Sequence, residues 1–144
     1  MSENMKPRVG IGFLVITDGT HIMLGRRKGS HGEGEYSLPG GHLEHMESFE
    51  DCALRELAEE AGTAIKVSKP RFLCVTNLQK YPPKHYVDIG MAAEWISGEP
   101  IVAEPDKLIE WKWYPIDNLP TPLFGCTENY LESYKTGKSY FTAG

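Results

Sequence analysis

The feature that most constrains this chain is the stretch from Gly40 to Thr63, which reads GGHLEHMESFEDCALRELAEEAGT. Its second half predicts an amphipathic helix, because Ser48 suits the N-cap position and Gly62 suits the residue of positive φ that follows a helix. Each residue of a helix turns the chain by about 100°. This spacing places four apolar side chains on one face, namely Phe49, Ala53, Leu57 and Ala61.

Acidic residues crowd this stretch, and Arg55 is the only lysine or arginine among them. The acidic residues are Glu44, Glu47, Glu50, Asp51, Glu56, Glu59 and Glu60. Glu56 and Glu60 lie about 40° apart at the edge of the apolar face, and like charges at this spacing weaken a helix by roughly 0.2–0.5 kcal/mol per pair. A helix selected for stability alone would carry a lysine there. Clustered hard oxygen ligands indicate a divalent cation, Mg²⁺, with Mn²⁺ as the alternative.

The same residues resemble the Nudix box of hydrolases that act on nucleoside-diphosphate-linked compounds. The positions that match are Gly41, Glu47, Arg55-Glu56-Leu57, Glu59-Glu60 and Gly62. Thr63 departs from the pattern, which usually ends in an aliphatic residue. The alternative is an acidic helix on a solvated face, but such a helix does not also require the glycines and the arginine.

The resemblance implies a fold and a set of roles. The fold is an α/β/α sandwich with a mixed β-sheet and one long catalytic helix, formed by residues 1–144 as a single domain. Glu56, Glu59, Glu60 and the carbonyl of Gly40 would bind the metal, while Glu47 and Arg55 would orient that set. The proton of the attacking water would go either to a glutamate of the box or to Glu104 in a later loop, with Asp106 as the second choice there. An ordinary loop acid is the alternative reading of Glu104.

Five further strings resemble the MutT-type nucleoside triphosphate hydrolases, a branch credited with oxidised guanine nucleotides or dihydroneopterin triphosphate. They are residues 24–30, 38–44, 85–87, 104–107 and 119–124. Two positions depart from that branch: Gly125 replaces a base-stacking tryptophan, and Asp88 replaces a hydroxyl residue. Both are expected near the base, so they leave its identity open and the chemistry unchanged.

Four residues are candidates for substrate binding: Arg27, Gly41, Asp88 and Phe124. Arg27 belongs to a basic loop directly before the box, and a guanidinium can donate to two phosphate oxygens; a solvated charge run is the alternative reading. An ionised Asp88 would accept hydrogen bonds from adjacent ring donors, as in guanine or a pterin. The alternative is a surface acid or a core-edge acid paired with Lys84 or Arg71. Phe124 would cover the ring face.

These residues predict Mg²⁺-dependent hydrolysis of a nucleoside triphosphate to the monophosphate and pyrophosphate, by attack of water at phosphorus. The first alternative class is hydrolysis of a dinucleotide such as ADP-ribose or NADH. The ADP-ribose branch tends to carry a proline about fifteen residues past the box, where this chain has Asn77-Leu78-Gln79. The second alternative is a non-catalytic nucleotide-binding module, although such members typically lose box glutamates.

Net charge and cysteine spacing indicate which partners and which cell compartment to expect. A net charge of −5 disfavours general nucleic-acid binding and leaves a small-molecule nucleotide as the partner, in a monomer or a homodimer. The N-terminus lacks the apolar run of a signal peptide, and no stretch is long enough to span a membrane. Three distant cysteines, Cys52, Cys74 and Cys126, fit neither a disulfide framework nor a zinc site, which predicts the reduced cytoplasm.

The remaining pattern predicts six strands and a closing helix, consistent with a mixed α/β fold. The strands are Arg8–Asp18, His21–Arg26, Tyr36–Leu38, Lys66–Leu78, His85–Ile96 and Ile109–Tyr114, and the helix is near Thr127–Lys135. Gly10 and Gly12 inside the first strand predict a bulge or a close approach. Of Trp111 and Trp113, at least one is expected in the core.

Overall fold

The computed structural model describes residues 5–29 and 31–143. Residues 1–4 lie outside the described residues, and so does Ser30 of the basic loop. The expectation that the N-terminus has no signal peptide falls partly on these first residues. The strands are β1 Arg8–Thr17, β2 His21–Arg27, β3 Tyr36–Ser37, β4 Gly40–His42, β5 Lys66–Val67, β6 Arg71–Tyr81, β7 Lys84–Ser97, β8 Leu108–Pro115 and β9 Tyr140–Ala143. The helices are α1 Phe49–Ala61 and α2 Thr127–Thr136.

Strand β1 is the centre of a mixed sheet whose main order is β3-β2-β1-β7-β6-β9. Strand β7 runs parallel to β1 along nearly its whole length, from Arg8 to Ile16. On its other side, β1 pairs antiparallel with β4 near its start and with β2 near its end. Strand β8 pairs with β2, and β5 pairs with β7. The short strand β4 therefore brings the beginning of the acidic stretch directly against the central strand.

Side chains of the sheet alternate between two cores, one under each helix. Ile11, Phe13 and Val15 point toward α1 and pack in the cluster that contains Leu57. Leu14 and Ile16 point the other way and pack in the cluster that contains Tyr130 of α2. Met91 and Trp111 are also buried on the α1 side. This arrangement confirms the α/β/α sandwich, and Trp111 confirms the expectation of a core tryptophan.

Helix α1 begins and ends where the sequence predicts. The Ser48 hydroxyl accepts a hydrogen bond from the Asp51 backbone N–H at 3.0 Å, and Gly62 follows the helix with φ +88°. The predicted apolar face is wrong at one position, because Phe49 is 39% exposed. Cys52 occupies the buried position in the first turn, with its sulfur 3.6 Å from the His42 carbonyl oxygen. Phe49, at the first position of the helix, therefore remains at the solvent.

One predicted strand and two short strands differ from the sequence expectation. The predicted strand Lys66–Leu78 is divided into β5 and β6, because Pro70 stands between them and has no N–H for a sheet hydrogen bond. Strands β4 and β9 were not predicted, since they are only three and four residues long and have little periodicity. The three cysteines are buried and free in the structure.

No helix within the described residues is long and apolar enough to cross a membrane.

The close approach predicted at the β1 glycines is made by Tyr130. A Cβ added to Gly12 would lie 2.7 Å from the Tyr130 ring, whereas one added to Gly10 would meet Asp88 at an ordinary 3.6 Å. We expect Gly12→Ala to destabilise the protein by about 1–3 kcal/mol, because overpacking moves a buried ring. Gly10→Ala is the matched control, with a change within about 0.5 kcal/mol. Urea denaturation of both variants measures the difference, and equal stability would show that Tyr130 moves freely.

Candidate active site

The carboxylates of Glu56 and Glu60 lie against the backbone of β4. Glu60 Oε1 accepts a hydrogen bond from the Gly40 N–H at 3.0 Å. A Cβ at Gly40 would overlap the backbone carbonyl oxygen of Ile11, so glycine is needed for β4 to approach β1 this closely. A Cβ at Gly41 would meet the movable end of the Glu56 side chain, which lies directly over it. We call this place, where Glu56, Glu59 and Glu60 of α1 meet Gly40 and Gly41 of β4, the acidic edge.

Arg55 is the hub of the acidic edge. Its Nε and Nη2 donate to the two carboxylate oxygens of Glu47 at 2.7 and 3.0 Å. Its Nη1 donates to Glu56 at 2.9 Å and to Glu59 at 3.2 Å. Nη2 also donates to the His42 carbonyl at 3.1 Å. One guanidinium therefore holds the helix, the end of β4 and the preceding loop in register, as a planar group with five donors can.

The pKa values separate these carboxylates into two kinds. The hydrogen bonds from Arg55 lower the pKa of Glu47 to about 2, so that this group remains an anion. Burial, followed by the neighbouring Glu56 and Glu104 charges, raises the pKa of Glu60 to about 8. Burial also raises the pKa of Glu56. Without a cation, the raised pKa of Glu60 favours a protonated carboxyl group there at neutral pH.

Gly40 presents its backbone polar groups to the acidic edge. In the β1–β4 pair, Phe13 N–H donates to Pro39 and Leu43 N–H donates to Val9, so Gly12 and Gly40 form a non-hydrogen-bonded pair. Both backbone groups of Gly40 therefore point away from β1, and its N–H is the group that donates to Glu60. The Gly40 carbonyl faces the same side, as expected of a metal ligand.

These residues fit Mg²⁺ in their chemistry, although the described residues contain no converged group of three or more His, Cys, Asp or Glu side chains that could hold a metal. The physical reason is that Arg55 engages Glu56 and Glu59, while the Gly40 N–H engages Glu60. All the donors are hard oxygens, and a bound cation would compete with the proton that Glu60 otherwise retains. Glu56, Glu59, Glu60 and the Gly40 carbonyl are the residues that could hold it.

The loop that carries Glu104 is attached to the end of α1. Ile101 N–H donates to the Ala61 carbonyl at 2.9 Å, and Ala103 N–H donates to the Glu60 carbonyl at 3.3 Å. Trp111 Nε1 donates to the same Glu60 carbonyl at 3.0 Å. The Glu104 carboxylate is close enough for its charge to raise the pKa of Glu60. The structure therefore brings Glu104 to the acidic edge.

Asp106, the second choice in that loop, is exposed. The neighbouring Lys107 Nζ lies 3.6 Å from the Glu104 carboxylate, which is 29% exposed.

A cavity of about 290 Å³ opens beside the acidic edge, on the α2 face of the sheet. Gly40 and Gly41 form part of its wall, and the other three predicted substrate residues also line it. These are Arg27, Asp88 and Phe124. The sequence therefore identified residues from three separate segments that the fold brings to one cavity.

Asp88 lies at the floor of this cavity, beside Gly10. The Tyr130 hydroxyl donates a short hydrogen bond to Asp88 Oδ1. Enclosure by protein raises the pKa of Asp88, and the hydrogen bond from Tyr130 opposes that shift. The partner of Asp88 is thus neither of the two basic residues considered from the sequence; Arg71 instead pairs with Glu94 at 3.1 Å.

Arg27 and Phe124 form the mouth of the cavity together. The Arg27 guanidinium lies 3.8 Å from the centre of the Phe124 ring, and its Nε donates to the His31 carbonyl at 3.1 Å. Tyr81 is nearly parallel to Phe124, with ring centres 6.0 Å apart, and His31 meets both rings edge-on. Desolvation lowers the pKa of Arg27, while the charge of Glu60 raises it. Arg27 therefore interacts electrostatically with the acidic edge.

Sequence reasoning missed Tyr130, Tyr81, His31 and His42, which line the cavity. Gly12 in a buried strand predicted a close approach, but the sequence did not show that Tyr130 makes it. The other three lie in connections or at strand ends, where no periodicity marks a pocket wall.

A family model described as the NUDIX domain matches residues 6–134. The chain therefore belongs to the NUDIX domain family, and the family prediction is confirmed.

Two curated relatives are named NAD-capped RNA hydrolase NudC. The protein of Stutzerimonas stutzeri (strain A1501) is 34% identical over 115 residues, and that of Pseudomonas aeruginosa (strain LESB58) is 33% identical over 115 residues. Each match covers 79% of this chain but only 39% of the relative, so the chain spans about two fifths of their length.

Solved structures share the fold. A MutT NUDIX hydrolase from Burkholderia pseudomallei is 36% identical, with a TM-score of 0.80, and the match covers 89% of this chain and 98% of that one. The NUDIX domain of Shewanella oneidensis NrtR, solved with ADP ribose, has a TM-score of 0.76 at 22% identity, covering 90% of this chain and 87% of that one. The second likeness concerns the fold alone.

Proposed function

We propose that this protein is a Mg²⁺-dependent hydrolase of nucleoside triphosphates, which releases the monophosphate and pyrophosphate after water attacks phosphorus. The observation that carries the proposal is the acidic edge, where Arg55 orders Glu56 and Glu59 and where Glu60 lies against Gly40. The adjoining cavity of about 290 Å³ is at the lower end of the usual range for ligand pockets. It suits one nucleobase, with the phosphates directed toward the acidic edge.

The residues of the acidic edge and of the cavity mouth have different proposed roles. When bound, Mg²⁺ neutralises phosphate charge and makes water a stronger nucleophile. Glu56, Glu59, Glu60 and the Gly40 carbonyl would hold the cation, and Glu47 keeps Arg55 oriented through its two hydrogen bonds. Arg27, at the cavity mouth, contributes a positive charge to the phosphates.

Glu104 accepts the proton of the attacking water in this proposal, with a box glutamate as the alternative. Its loop is fixed to the end of α1, and its carboxylate acts on Glu60. Its ion pair with Lys107 is long, at 3.6 Å, and the lysine side chain is exposed, so the pair is weak. Glu104 therefore remains available as a proton acceptor.

A hydrolysis screen over nucleoside triphosphates, nucleotide sugars and dinucleotides tests the proposal. We expect turnover of nucleoside triphosphates with Mg²⁺ or Mn²⁺ and none after EDTA. Reaction in ¹⁸O-labelled water identifies the phosphorus attacked, because the label stays with that product. Absence of turnover on every compound, with metal present, would contradict an enzymatic role and favour a nucleotide-binding module.

Asp88 is proposed to give a preference for guanine-like or pterin triphosphates. Asp88 lines the cavity, and its carboxyl group, which already accepts from Tyr130 and Cys126, would accept there from a ring edge as well. An N1–H with a neighbouring amino group matches such an acceptor, and adenine and thymine lack this pair. We expect dGTP to exceed dATP and TTP about ten- to a hundredfold in kcat/KM, and Asp88→Ala to reduce that ratio. Kinetics with dGTP, dATP, dCTP and TTP measure it.

Two results would sink this reading of Asp88 while leaving the hydrolase proposal intact. One is a wild type without guanine preference, and the other is an Asp88→Ala variant with unchanged ratios.

A second candidate function is hydrolysis of a dinucleotide such as NADH or ADP-ribose. The observation that favours it is the similarity to relatives named NAD-capped RNA hydrolase NudC. The same screen decides between the two, because a kcat/KM for NADH or ADP-ribose above that for every triphosphate would replace the first proposal.

A further inference from the structure

A second groove, of about 370 Å³, lies next to the cavity at the end of the sheet where β1 and β7 begin. Its charged and aromatic lining is Lys6, Arg8, His42, Lys84, His85 and Tyr86. None of the described residues that line it is acidic. Such a lining stands out in a chain whose net charge is −5, because a groove of one charge sign focuses a positive potential.

The groove and the cavity share a wall. His42 and Tyr86 line both spaces, and their rings are stacked with centres 5.7 Å apart and an interplanar angle of 15°. The His42 carbonyl accepts the hydrogen bond from Arg55 Nη2 at 3.1 Å, so this wall is attached to the acidic edge. The groove and the cavity are therefore neighbours across the two rings of His42 and Tyr86.

Positive charge also extends from the groove to the mouth of the cavity. The pKa of His31 is lowered first by burial and then by the charges of Arg27 and Lys84. Lys84 therefore acts on both spaces. Cations along a groove, together with a stacked aromatic wall, are the combination that proteins use to bind phosphate chains bearing bases.

We propose that this basic groove is a second phosphate-binding site, which holds a phosphate group of the substrate beyond the anhydride that is cleaved. Arg8 and Lys84 donate to its oxygens, and the His42–Tyr86 wall guides the chain between the two sites. The inference builds on the proposed hydrolase function. The phosphate could belong to a polyphosphate extension or to the backbone of a short nucleotide chain, and both present the same anion to the groove.

Binding measured in EDTA, where no turnover occurs, tests the groove separately from the hydrolase proposal. The probes are inorganic tripolyphosphate and a 5′-phosphorylated single-stranded pentaribonucleotide. We expect Arg8→Glu/Lys84→Glu to weaken binding of at least one probe about tenfold, and to lower its salt dependence. A response only to tripolyphosphate identifies a polyphosphate extension, and a response only to the pentaribonucleotide identifies a nucleotide chain.

The control is Lys66→Glu/Lys112→Glu, which changes the net charge by the same amount at two exposed lysines outside the groove. It should alter either affinity less than about twofold. Arg8→Gln/Lys84→Gln should give an intermediate loss, and it keeps the test valid if the charge reversal affects folding. In wild type, the imidazole NMR signals of His42 and His85 should shift when the binding probe is added. Equal weakening in both charge-reversal variants, no weakening in either, or unmoved imidazole signals would overturn the proposal.

Discussion

Glu56→Gln and Glu60→Gln should each reduce turnover on the order of 10³-fold at saturating Mg²⁺, while the protein remains folded. Each substitution removes an anionic oxygen donor from the acidic edge but keeps the shape of the side chain. The Gly40 N–H can still donate to the remaining amide oxygen at position 60, so the contact between α1 and β4 survives. Steady-state kinetics and Mg²⁺ titration of both variants measure the effect.

Glu132→Gln is the matched control for these variants, because it makes the same chemical change on an exposed residue of the other helix. Its turnover should equal that of the wild type. If Glu56→Gln or Glu60→Gln retained near-wild-type turnover with Mg²⁺, the assignment of metal ligands would be wrong.

The raised pKa of Glu60 also has a consequence for stability without metal. A carboxyl group whose pKa rises from its ordinary value of 4.5 to about 8 on folding opposes folding increasingly as pH rises through this interval. Glu60→Gln should therefore raise the free energy of unfolding of the apo protein at pH 8, and this gain should vanish below about pH 4. For Glu56 the gain is offset, because the variant also loses the 2.9 Å ion pair with Arg55.

Glu104→Gln should reduce the rate by roughly 10²–10⁴ while leaving Mg²⁺ affinity nearly unchanged, since an amide cannot accept the proton that a carboxylate accepts. The variant keeps the backbone contacts that attach the loop to α1, because these involve main-chain groups. Turnover at saturating substrate and metal, together with Mg²⁺ affinity, separates loss of a base from loss of a ligand.

Glu99→Gln is the control for Glu104, as an exposed acid on the same connection between β7 and β8. A loss of less than threefold in Glu104→Gln would return the base role to a glutamate of the box.

The acidic edge could be predicted from the sequence because its residues are close along the chain. Helical spacing alone placed Glu56 and Glu60 together. The cavity was less predictable, since Asp88 and Tyr130 meet across 42 positions of sequence. Spacing carries no information about such a pair.

The fold could also be predicted only in part. Long strands with strong periodicity, such as β1 and β7, were found nearly at their true bounds. Strand β4 was not, because only its pairing with Gly10–Gly12 makes it a strand.

The separation of the two parts of the site has a consequence for how such a protein can diversify. The carboxylates come from α1 on one face of the sheet, whereas Asp88 and Tyr130 lie on the other face. Substitutions in the second set can exchange one preferred ring for another without disturbing the first. Selection can thus retune the choice of compound gradually, through intermediates that keep a working reaction centre throughout.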